Sequence, residues 1–103
     1  MPPIDTKETY QRKTELRLKK IRTRITALEK KADEMEADIK VRHDQKLSQI
    51  RGHYAQSKEN LNKLRKSGQE AWFELRIALD DAIEVLEESI NDLSRRISVR
   101  PED

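Results

Sequence analysis

From Leu18 the apolar positions advance without a miss through Ile21, Ile25, Leu28, Ala32, Met35 and Ile39. Alternating steps of three and four keep one helix face apolar and mark a coiled-coil seam. The seam then crosses His43 to Leu47 and resumes at Ile50, Tyr54, Ser57, Leu61 and Leu64. Ile39–His43–Leu47 takes two steps of four, an insert that relaxes a supercoil without ending the helix. A second seam runs through Ala71 or Trp72, then Leu75, Leu79, Ala82, Leu86, Ile90, Leu93 and Ile97. Neither segment alternates as a strand does, so the pattern predicts an all-α chain.

Boundary signals divide this pattern once. Asp5, with Glu8 three residues on, can open a helix. Pro101 ends one, and no proline lies between Pro3 and Pro101. Gly52 sits inside the first seam without changing its phase. Between the seams, Lys63, Arg65 and Lys66 suit a helix C-terminus, and Glu70 and Glu74 suit an N-terminus. Ser67, Gly68 and Glu70 between them read as a turn with a capping box, Ser67 accepting from the Glu70 amide. The chain then reads as a single coiled-coil unit, 1–103: a long helix over about 5–66, a turn at 67–68, a second helix over about 68–99, and a tail at 100–103.

Facing seam residues support an antiparallel hairpin. Leu61 with Leu75, Tyr54 with Ala82, Ile50 with Leu86, His43 with Leu93, and Ile39 with Ile97 share one constant sum of residue numbers. Charge agrees: residues 42–66 are basic, and residues 67–92 carry eight acids against Arg76 alone. Arg51 would lie near Glu84, Lys46 near Glu88 and Arg42 near Asp92, each pair contributing at most about 1 kcal/mol. The hairpin leaves Leu18, Ile21, Ile25, Leu28, Ala32 and Met35 without a partner. That overhang predicts a homo-oligomer, with an antiparallel dimer favoured. The alternative is a three-helix bundle with a further turn near residues 40–44.

Composition narrows the classes of function. Charged residues make up 41% and hydrophobic ones 34% of 103 residues, too little apolar material for a thick core. No cysteine is present, so disulfides and thiolate metal sites are excluded, and a reducing, cytoplasmic setting is expected. The opening MPPIDTKETYQRK lacks the apolar core of a signal peptide, and no run suits a bilayer span. There is no nucleophile motif or phosphate loop, and the two histidines, His43 and His53, are too far apart to share a helix turn. We therefore expect no enzyme activity and no cofactor. A two-helix seam would also leave no pocket of ligand size.

Three features retain a claim to binding. Trp72 reads as packing that closes the hairpin tip, and Phe73, about 100° round the helix, as an exposed contact. His43 reads as a polar seam position that fixes register, and otherwise as a pH switch; His53 reads as surface. In the run Arg12–Arg24, Arg12, Lys13, Arg17, Lys19, Lys20, Arg22 and Arg24 form a possible polyanion face with one acid among them. No aromatic platform for bases is interleaved. Nucleic acid is therefore disfavoured, and an anionic membrane surface is only the lesser alternative to a protein partner.

Lys7 and Tyr10, the stretch LEKKADEMEADIK from Leu28 to Lys40, and SGQEAWFEL from Ser67 to Leu75 carry a family likeness. On these motifs the chain resembles small bacterial coiled-coil proteins of similar length, including cyanobacterial stress-inducible ones. It departs from them in a more basic first third and in Phe73, where a charged residue is commoner. The resemblance implies a bacterial coiled-coil protein, linked to stress, with no catalytic residues to carry over. The expected function is a non-enzymatic, self-associating structural or interaction protein.

Overall fold

A computed structural model describes residues 7–98; the anticipated Asp5 cap and the stop at Pro101 lie outside them. Three α-helices of similar length pack together: α1 (Lys7–Asp33), α2 (Ala37–Lys66) and α3 (Ala71–Ser98). The chain is a three-helix bundle, not a two-helix hairpin, and the single helix over 5–66 does not exist. The longest extent is 55 Å, whereas a 62-residue helix would need about 90 Å.

The break falls at residues 34–36, not near 40–44. The amides of Glu34 and Met35 donate to Lys31 and Ala32 at 3.1 Å each, tightening the end of α1 into three-residue closures. Glu36 is extended (φ −64°, ψ 154°), and its side chain makes no capping bond. Its carbonyl accepts from the Lys40 amide at 2.8 Å as α2 begins. The Lys40 ammonium then bridges the corner, 3.4 Å from Asp33 and 3.2 Å from Asp44.

Burial explains why the chain folds back here. In an isolated hairpin, Leu18, Ile21, Ile25 and Leu28 would face water; in the bundle all four are buried. At about 1.5–3 kcal/mol per side chain, their burial stabilises on the order of 10 kcal/mol. Fixing three turn residues costs about 1–2 kcal/mol each. The seam expected to join two copies of the chain is therefore consumed within one.

The second turn lies where the sequence places it, with different hydrogen bonding. Ser67 does not cap α3: its hydroxyl and amide both donate to the Leu64 carbonyl, at 2.6 and 3.1 Å, closing the end of α2. Helix α3 starts at Ala71, and the Trp72 amide donates to the Gly68 carbonyl at 3.2 Å. Glu70 stays in the turn.

Helices α1 and α3 run parallel. Tyr10 meets Asp80, Arg17 meets Glu87 and Arg24 meets Asn91, at nearly constant chain separation. Helix α2 lies antiparallel to both, with the Arg51 guanidinium on Glu29 of α1 rather than Glu84. Asp92 is bridged by Arg95 and Arg96 of its own helix rather than by Arg42. The core gathers the seams of all three helices and adds Tyr10, Thr14 and Ile83. Ile83 is 0% exposed while Ala82 is half-buried, and Ile39 is 40% exposed. A helix that packs against two neighbours presents a wider face than a two-stranded seam does, and on α3 this brings Ile83 rather than Ala82 into the core while Leu79, Leu86, Ile90, Leu93 and Ile97 are buried on the seam.

A basic groove between α1 and α2

Each helix has a face left over after the core is packed. On α1, Arg12, Glu15, Leu16, Lys19 and Arg22 recur at helical spacing on the side towards α2. On α2, Tyr54, Lys58, Leu61, Asn62 and Arg65 do the same. Because the helices are antiparallel, Arg12 lies towards Arg65 and Arg22 towards Tyr54. Together the rows line a groove of about 490 Å³, with Leu18 and Leu61 at its floor. A two-helix seam left no room for such a cavity; the third helix creates it by setting α1 beside α2.

The groove combines apolar surface with positive charge. Leu16 is 60% exposed despite its apolar side chain. Tyr54 is half-buried, and the Lys58 ammonium stands 5.9 Å from its ring centroid. Arg12, Lys19, Arg22, Lys58 and Arg65 supply five cations, against the single carboxylate of Glu15.

The basic run Arg12–Arg24 is thus divided. Arg12, Lys19 and Arg22 line the groove, and Lys13 and Lys20 are exposed. Arg17 turns towards α3, donating to both Glu87 carboxylate oxygens at 2.7 and 3.0 Å. That pairing holds the Glu87 carboxyl below its ordinary range and raises the Arg17 guanidinium. Arg24 also turns towards α3, donating to Asn91 at 2.5 Å. The seven cations do not form one polyanion face.

At the end of the bundle near the α2–α3 turn, Trp72 is buried and Tyr10 packs against it, ring centroids 6.0 Å apart. The Arg76 guanidinium lies 5.3 Å from the Tyr10 ring centroid and 5.8 Å from that of Trp72. The Tyr10 hydroxyl donates to Asp80, and burial, with that bond, pushes its ionisation well above the ordinary tyrosine range. The Lys7 ammonium donates to the Ser67 carbonyl, tying the start of α1 to the turn. Trp72 therefore packs as the sequence reading expects, but against α1 as well as across a hairpin tip.

Phe73 is 56% exposed, and it has company that the sequence reading missed. Ile77 and Val85 are exposed on the same outward side of α3, together with Glu74, Asp81, Glu84 and Glu88. The spacings of four and eight residues among Phe73, Ile77 and Val85 are present in the sequence, beside the denser inward seam of the same helix. His43 is half-buried and His53 exposed. Among the described residues no cluster of His, Asp or Glu has the grouping to hold a metal ion, and no helix is long and apolar enough to cross a membrane. No family model matches the chain, and no curated protein or solved structure does either.

Proposed function

We propose that the chain is a non-enzymatic helical interaction module whose α1/α2 groove receives an acidic amphipathic helix. The observation that carries this reading is exposed Leu16, set over a Leu18–Leu61 floor and bracketed by five cations with one acid. Helix-in-groove recognition needs apolar anchors in a trough. Rim charges add encounter rate and discrimination more than affinity. A bare polyanion would use the cations and leave the apolar floor unfilled, and Arg17 and Arg24 are already committed to α3. This replaces the α1 seam with the groove as the module's binding surface.

The test is a fluorescence-anisotropy titration with a labelled designed peptide, helical, with leucines at spacings of three and four flanked by glutamates. Single-stranded DNA and phosphatidylserine vesicles serve as parallel probes. The expected result is peptide binding that Leu16→Glu with Lys58→Glu abolishes. DNA or vesicle binding without peptide binding would replace this reading with the polyanion one.

A further inference from the structure

We infer that the partner helix is α3 of a second copy of this chain, whose outward ridge seats in the α1/α2 groove of its neighbour. The inference rests on reading the groove as a helix-binding site.

Charge complementarity selects the occupant. At about 100° per residue, Phe73, Ile77 and Val85 fall on the half of α3 opposite Leu79, Ile83 and Leu86, with Asp81, Glu84 and Glu88 between them. This face of α3 interleaves apolar side chains with acids, where the groove sets an apolar trough among cations. The dimensions agree: Phe73 to Val85 spans about 18 Å and Arg12 to Arg22 about 15 Å. Leu16 and Ile77, 60% and 64% exposed, stand near the middle of the two surfaces. Both are large apolar side chains that no helix of their own chain covers.

The arrangement sets the symmetry of the assembly. The groove opens on the side of the bundle away from α3, so one copy cannot offer both surfaces to the same neighbour through a two-fold axis. The contact is head-to-tail and extends to further copies. Because charge frames both halves, salt weakens it.

Sedimentation equilibrium of the full chain tests this, at protein concentrations from about 10 µM to 1 mM, the range of weak contacts, in low and high salt. Wild type should grow past the dimer with concentration and fall back towards monomer in high salt. Leu16→Glu with Lys58→Glu blocks the groove, and Phe73→Lys with Ile77→Lys blocks the ridge. All four positions are exposed, so helical circular dichroism should be unchanged. Each variant alone should be monomeric, and an equimolar mixture should form a one-to-one dimer that grows no further. A monomeric wild type, or a mixture that stays monomeric, overturns the inference. If the acidic peptide still binds wild type in that case, the groove reading stands and only the second copy is lost. Assembly unaffected by the groove variant overturns the inference, and peptide binding unaffected by it overturns the groove reading.

Discussion

The Tyr10 hydroxyl donates a 2.6 Å hydrogen bond to the Asp80 carboxylate, joining the first turns of α1 to α3 across 70 positions of the chain. Tyr10→Phe keeps the ring against Trp72 and removes this bond, together with the longer 3.3 Å one from the same hydroxyl to the Arg76 carbonyl. Hydrogen bonds to charged groups contribute about 1.5–3 kcal/mol when desolvated, and this one is partly buried. We expect a loss of about 1–2 kcal/mol in urea unfolding followed by circular dichroism. A variant as stable as wild type would show that ring packing alone holds the end closed.

The Arg17–Glu87 pair makes stability depend on acid. The folded state holds the Glu87 carboxyl below its ordinary range, so the unfolded chain takes up that proton first as pH falls. The contribution is complete above the ordinary carboxylate range and is lost as pH drops through the depressed folded value. The side chains are 41% and 31% exposed, which limits the effect to below about 1 kcal/mol. Glu87→Gln should show a correspondingly shallower fall in stability between neutral and acidic pH, read by urea midpoints. Parallel curves for the two proteins would remove the pair from the account.

Two substitutions in α2 should stabilise. Gly52 lies inside the helix, exposed, with open space where a Cβ would stand; Gly52→Ala should gain about 1 kcal/mol through helix propensity. Ser57 is fully buried, and its hydroxyl has no hydrogen-bond partner among the described residues. Ser57→Ala removes that unpaired group and raises helix propensity, so a gain of about 0.5–1 kcal/mol is expected. Thermal melts of the single variants measure both, and a destabilised Ser57→Ala would mean the hydroxyl is paired in solution.

Spin labels at Glu15 and Asn62 separate the two folds directly. Across the groove they should give a distance below about 25 Å, since neighbouring helix axes lie about 8–10 Å apart. An unbroken helix would place them about 70 Å apart, at 1.5 Å per residue.

The sequence disclosed the helices better than their connection. Leu18, Ile21, Ile25, Leu28 and Ala32 on α1, and Leu47, Ile50, Leu61 and Leu64 on α2, are buried as their spacing requires. The turn at 34–36 hid because it uses no glycine, proline or capping side chain, and because Met35 continues the three-four rhythm by packing on the core from the turn. One physical signal was present. Lys30 and Lys31 precede Glu36 and Asp38, the same switch from cation to anion that marks the α2–α3 turn, and it suits the opposed dipoles of a helix end and a helix start. The groove was beyond reach for a related reason: Leu16 and Lys58 become neighbours only when α1 folds back along α2. Trp72 is buried and Phe73 exposed, as their adjacent positions on a helix allow, but Ile77 and Val85 gain meaning only once the core face of α3 is known.

Trp72 is the chain's one tryptophan, and it sits where the beginning of α1, the α2–α3 turn and the first turns of α3 converge. The protein therefore carries its own fluorimetric gauge of closure at that end. Lifting α1 away would wet the indole and redden its emission. Tyr10, a few ångströms off, would at the same time lose its efficiency as an energy donor. Opening of this end can thus be followed in the unlabelled chain, independently of its helix content.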